Sequence, residues 1–295
     1  MPTVFVVIWS TGFIVAKYGL PYAPPLSFLA IRFALSVVFF VVWATLARVS
    51  WPRSRQQWLH LAVVGVLVHA GYLGGVWAAV KAGMGSGLAS LMVCLQPVLT
   101  ALWVSSFSRS QGAQSAVTPR QWLGLALGLL GLLLVVSRKL AITGGVGGEV
   151  TWLTMLTSTL ALLCITAGTL YQKRFVTVQD VRSANAIQIA AAFVVTAPLA
   201  LLEAEAISWT PQFIGAMAWS VLALSLGGSS LLYLLIQRGA ATAVTSLLYL
   251  VPPCTALMAW LLFSEPITAL TVLGTAITAV GVSLVVRAAK VPVTA

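Results

Sequence analysis

The chain is 295 residues long, 60% hydrophobic and only 7% charged, with a formal net charge of +11. Soluble domains carry about 25% charged residues, so this composition excludes a water-soluble domain of that size. Lipid is the expected solvent. A membrane helix takes about 20 residues, so ten of them use roughly 200 and leave only short connections.

In chain order, ten spans are predicted as helices: 3–17, 26–47, 58–80, 85–107, 121–137, 150–172, 184–202, 212–236, 241–263 and 268–287. None alternates in the manner of a membrane β-strand. The first has no cationic start, holds Trp9 and is followed by Lys17 rather than a small-residue cleavage site. It reads as a retained helix and not as a signal peptide. Turn chemistry separates the spans: Pro21 to Pro25, Trp51-Pro52-Arg53, Lys81-Ala82-Gly83, Gly144-Gly145 with Gly147-Gly148, and Glu265-Pro266. Spans 4 and 9 carry Pro97 and Pro253, where a helix is expected to kink or to free a backbone carbonyl.

Basic residues sit mostly in the connections and so report topology rather than nucleic-acid binding. With the N-terminus in the cytoplasm, eleven Lys and Arg fall on the cytoplasmic side and four on the other, and Arg32 lies within a span. Both termini are therefore expected to be cytoplasmic.

A shift of 156 residues lays the chain on itself without a gap from residue 12 to residue 97. Gly12 meets Gly168, Lys17 meets Lys173, Gly71 meets Gly227, Gly83 meets Gly239 and Pro97 meets Pro253. Beyond the connection at 105–119 the shift becomes 150, and Gly124 and Gly131 meet Gly274 and Gly281. Each repeat holds five spans, an odd number, so the second enters the membrane from the opposite side. The expected division is a first repeat over 1–137, a connecting loop over 138–149, an inverted second repeat over 150–287 and a cytoplasmic tail over 288–295. Inverted repeats are a frequent basis of alternating access, with the transport path at their interface.

No phosphate loop of the Walker type, HExxH, Cys-x-x-Cys or GxSxG occurs, so no cofactor, metal or catalytic centre is expected. Cys94, Cys164 and Cys254 lie in apolar runs and do not form a disulfide framework. Charges inside a membrane are functional candidates by default. Arg32 is read either as a partner for a substrate anion or as a structural anchor. His69, mid-span, is either a proton relay or a donor satisfied between helices. Lys17 and Lys81, at outer helix ends, are either interfacial anchors or attractors of an anion at the mouth. No carboxylate lies mid-span, so a carboxylate proton carrier is absent. His69, Leu73 and Trp77 share one face of span 3, and their repeat mates are Ser225, Ser229 and Tyr233 on span 8. With Trp9, Ser10, Tyr72, Gln96 and Tyr249 these make a candidate set for a central cavity holding a small amphipathic solute. Gly124 and Gly128 form a GxxxG on span 5, read as helix packing or a dimer face.

Trp9-Ser10-Thr11-Gly12-Phe13, the Arg32-Phe33-Ala34 run, Ala82-Gly83 to Pro97, the matching Arg238-Gly239 to Pro253, and Glu265 after span 9 form an ordered set. That set, over nearly the whole chain, resembles the EamA-type branch of the drug/metabolite transporter superfamily. The first repeat departs from the pattern in having Arg109 where the second has Glu265. The resemblance is strongest to bacterial exporters of amino acids and related metabolites. It implies an all-α integral membrane protein, not an enzyme, in a bacterial cytoplasmic membrane. Its partners would be a small-molecule substrate and lipid, with the chain a monomer or homodimer. It also implies a cavity lined by spans 1, 3, 4, 6, 8 and 9, with spans 5 and 10 peripheral. The alternatives are a carrier for sugar phosphates or nucleotide sugars, which would need several central cations, and an intramembrane enzyme.

Overall fold

In the computed structural model, residues 2–100, 103, 119–143, 150–177, 179–237 and 250–288 are described. They are predominantly helical, joined by short turns, with no strand among them. Ten helical elements follow in order. They are α1 (Pro2–Gly19), α2 (Pro25–Leu46), α3 (Arg55–Lys81), α4 (Ser86–Thr100), α5 (Pro119–Thr143), α6 (Trp152–Phe175), α7 (Val181–Ala200), α8 (Pro211–Gln237), α9 (Val251–Phe263) and α10 (Ala269–Ala288). Five are long and apolar enough to span a bilayer by themselves, and the other five contain apolar helical stretches of 10–17 residues among the described residues. One boundary differs from the sequence reading. The expected loop at 138–149 is helical as far as Thr143. Arg138-Lys139-Leu140-Ala141 are all good helix formers, and the helix therefore runs on toward the glycines at 144 and 145.

The helix ends follow local chemistry. Ser54 accepts a hydrogen bond from the Gln56 amide at the start of α3. Thr151 and Thr154 form a reciprocal capping box on α6, and Thr210 caps α8 ahead of Pro211. The α3 helix stops at Gly83, whose φ of 105° is reserved for glycine in practice. There the Gly83 and Met84 amides bond back to Val80 and Ala79. In α4 the helix is interrupted at Cys94 and Leu95, just ahead of Pro97, as expected of a ring that removes an amide donor.

Most of the larger helix contacts among the described residues pair up when the repeats are exchanged. The α1–α8 contact has its counterpart in α6–α3, α1–α9 in α6–α4, and α2–α8 in α7–α3. The α2–α7, α4–α9 and α5–α10 pairs are each their own counterpart. That is the contact pattern of a two-fold axis relating the repeats. Both α3 and α8 also widen into π-helix near mid-membrane, over Val66–Gly71 and Ser220–Ser229. These segments overlap under the 156-residue shift.

The α5 and α10 helices form an outlying pair, tied to the rest only through α4 and α9 among the more extensive contacts. Their backbones touch. A Cβ on Gly274 would lie 2.6 Å from the Gly131 carbonyl, and one on Gly281 would lie 2.6 Å from the Gly128 amide. The GxxxG face of α5 is thus occupied by α10 of the same chain, a small-residue contact of the usual membrane kind.

Candidate functional site

A cavity lies where α1, α2, α3, α6, α7 and α8 converge. It encloses about 680 Å³ of non-atom space, open solvent at its mouth included. The α1 helix lines it with Trp9, Gly12 and Phe13, one turn apart. The α3 helix adds His69 and Tyr72, at and just beyond the π-helical turns, then Leu73, Val76 and Trp77. On the facing wall α8 presents Leu224, Ser229, Leu232 and Tyr233. The two stripes read from the sequence therefore meet across one space, save that Ser225 turns aside to bond Arg32. Trp9 and Tyr72 stack at 6.4 Å between centroids with only 6° between their planes.

The α2 helix contributes Arg32, only 4% exposed and facing this cavity. Its Nε donates to Ser225 Oγ at 3.0 Å. No carboxylate pairs with it among the described residues, and no Asp or Glu lines the cavity. From α7 come Asn185 and Gln188, and from α6 Gln172. Gln188 is 3% exposed, its side chain hydrogen-bonds His69, and its amide nitrogen has no partner among the described residues. Gln188 is also the repeat mate of Arg32, so the two-fold relation brings this pair to one place.

Several expectations need correcting. Ser10 is buried in the helix packing, its hydroxyl donating to the Val6 carbonyl at 2.7 Å, and it does not line the cavity. Gln96 is turned to α6, donating to Thr169 Oγ1 at 3.1 Å, and fastens two helices together. Tyr249 lies outside the described residues. Among the described residues α4 and α9 do not line the cavity, and α2 and α7 do. The polar wall of Gln172, Asn185 and Gln188 was missing from the candidate set. The repeat relation to Arg32 was the signal that could have found it. Trp77 lines the cavity but is also core: it is 1% exposed and packs tilted on Phe28 with 4.4 Å between ring centroids, and Phe28 in turn packs on Phe213.

The cavity reaches toward the face where α1 begins, since Gln172, Asn185 and Tyr233 lie near the helix ends on that side. The opposite face is closed by acidic residues of the second repeat. Glu203, after α7, accepts from the Leu26 and Ser27 amides at 3.0 and 2.7 Å, and from Ser27 Oγ. It caps α2, whose own N-cap residue, Pro24, has no side-chain acceptor. Glu265, after α9, accepts from Lys17 Nζ at 2.6 Å and from the Ser86 amide at 3.1 Å, capping α4. Lys81 pairs with Glu205 at 2.5 Å. Lys17 and Lys81 are thus engaged by protein carboxylates rather than held ready for a solute.

The described helices and their exchange symmetry are matched by family comparison. The pattern of the EamA-like transporter family fits residues 3–137 and again 152–287. The chain belongs to the EamA-like transporter family. It is built from two copies of the EamA unit, with helices long and apolar enough to cross a membrane in both. It is 30% identical over 138 residues to a probable amino-acid metabolite efflux pump of Salmonella typhimurium, covering 46% of this chain and 41% of that one. It is 27% identical over 218 residues to the inner membrane transporter YedA of Escherichia coli K12, covering 74% of this chain and 66% of that one. A transporter of Archaeoglobus fulgidus is 24% identical over 285 residues, 94% of this chain and 93% of the relative. The chain thus spans less than two thirds of the first two relatives. A solved crystal structure superposes with a TM-score of 0.69 over 98% of this chain and 97% of that one, at 17% identity, a likeness of fold alone.

Proposed function

We propose that this EamA transporter exports amino acids, apolar or aromatic ones among them, or similar small metabolites from a bacterial cytoplasm across the inner membrane. The observation that carries the reading is the cavity at the interface of the two repeats, walled by aromatic faces and a few polar groups. Alternating access follows from the symmetry: each repeat supplies the same helices to opposite walls, so rocking one against the other exchanges the open face. The excess of basic residues on the face where α1 begins supports placing that face, and both termini, in the cytoplasm. The cavity then opens inward and the carboxylate latches close the outside. The aromatic rings hold an apolar side chain, and the π-helical turns of α3 and α8 supply places where the helices can bend. The efflux-pump name of the Salmonella relative agrees with this reading. A sugar-phosphate carrier fits less well, since one guanidinium is a weak match for several negative charges. The test is efflux of a labelled amino-acid panel from proteoliposomes, with and without an imposed proton gradient. Saturable movement of at least one member supports the proposal, and none moving above protein-free vesicles refutes it.

A further inference from the structure

We propose that the Arg32–Gln188 pair is a monocarboxylate site, and that the cavity selects its substrate by the carboxylate and not by the amino group. The inference rests on reading the cavity as the substrate site.

Two observations lead to it. Arg32 is a guanidinium, which keeps its charge, buried in a membrane protein with one hydroxyl as its only hydrogen-bond partner among the described residues. A buried charge without a counter-ion is costly, so an anion delivered to it is strongly favoured. Beside it, Gln188 offers an amide N–H without a partner among the described residues, at 3% exposure. Both side chains line the same cavity. A planar carboxylate can accept from the guanidinium nitrogens and from that amide together, and a neutral amide group cannot replace the charge.

The second half of the inference comes from what faces the opposite way. An α-ammonium would need a carboxylate, or a cluster of carbonyl oxygens, within reach. No Asp or Glu lines the cavity among the described residues. The Asn185 amide donates to the Val181 carbonyl within its own helix, so the acceptors left facing the solute are neutral amide and hydroxyl oxygens, which take a hydroxyl or an ammonium alike. What remains for the rest of the solute is Trp9, Tyr72, Trp77 and Tyr233, which accept an apolar side chain regardless of what the α-carbon bears. Hence 2-hydroxy acids should bind as well as the corresponding amino acids, and esters or amides of amino acids should bind more weakly.

The purified full chain in nanodiscs, titrated by equilibrium binding with labelled 3-phenyllactate, tests this. Phenylalanine and phenylalaninamide serve as competitors. Phenyllactate and phenylalanine are expected to bind within about threefold of each other, and phenylalaninamide about tenfold or more weakly, the scale of one charge-assisted contact. Arg32→Gln should reduce the acids to the level of the amide. Arg32→Lys, which keeps the charge, and Gln188→Ala, a smaller change on α7, guard against mistaking a folding defect for lost binding. Both should weaken phenyllactate several-fold and leave phenylalaninamide unchanged. Equal binding of acid and amide, or phenylalanine binding without phenyllactate, overturns the inference, as does binding of none. Transport of phenylalanine with no such discrimination refutes the carboxylate site but leaves the export reading standing. Arg32-dependent binding with no transport of any member does the reverse.

Discussion

Single residues in this protein take their roles from what surrounds them rather than from type. Trp77 illustrates it. As a cavity aromatic it would be expected to tolerate truncation with loss of transport alone. Its burial against Phe28 predicts that Trp77→Ala also costs about 3–5 kcal/mol of stability, read as a large drop in detergent melting temperature. An unchanged melting temperature would remove Trp77 from the core. Asp180 caps α7 by accepting from the Arg182 amide at 2.9 Å, and the Arg182 side chain holds its carboxyl below the usual carboxylate range. Asp180→Ala should cost about 1 kcal/mol. Because the folded-state value is lowered, that contribution is present above the unfolded carboxyl pKa of about 3.9 and is lost as pH falls through the folded value. The melting-temperature gap between wild type and variant should thus persist from neutral pH to about pH 5 and close only in stronger acid. At this scale the sequence was partly legible. Arg32, His69 and the α3 and α8 stripes stand out because polar groups in apolar runs are rare. Ser10 and Gln96 were misplaced because a hydroxyl or amide can be satisfied by a neighbouring helix as well as by a cavity, and periodicity does not say which.

Elements were the most legible level, since apolar length, capping residues and prolines each leave a local mark. The π-helical turns of α3 and α8 leave none, because their hydrogen-bond shift depends on packing between helices. The acidic latches were equally hidden: Glu203 and Glu265 look like loop residues until the fold sets them on the starts of α2 and α4. Glu265, whose side chain is 12% exposed, serves both Lys17 and α4. Glu265→Gln should therefore weaken outer closure by about 2 kcal/mol. The readout is modification of a cysteine at Met84, a residue 1% exposed and two positions before Ser86, by an impermeant thiol reagent. Labelling from outside should speed up several-fold in the variant, and an unaltered rate would deny the latch its role. In the outlying pair, Gly274→Leu would drive a side chain into the α5 backbone and should separate α5 from α10.

At the scale of the molecule, the inverted repeat explains both the cavity and its asymmetry. The repeat register predicted the two-fold relation that the helix contacts obey. The faces nevertheless differ, because the second repeat carries Glu203 and Glu265 where the 156-residue register puts Ala47 and Arg109 in the first. Without a carboxylate in the cavity, transport should not strictly require a proton gradient, and His69→Gln should retain substantial exchange. An obligatory gradient that this variant uncouples would make His69 the proton carrier. The orientation is checked by labelling cysteines at Ser54 and Glu203 in intact cells, with only the latter expected to react from outside.

The most direct measurement joins the latch to transport. In a background with Cys94, Cys164 and Cys254 replaced, Lys17→Cys and Glu265→Cys are bridged by a short reducible thiol cross-linker, and efflux from proteoliposomes is followed before and after reduction. Alternating access predicts that the bridged protein stops transporting while still binding solute from the cytoplasmic face, and that reduction restores efflux. Undiminished efflux with the bridge in place would contradict a path that opens between the two repeats.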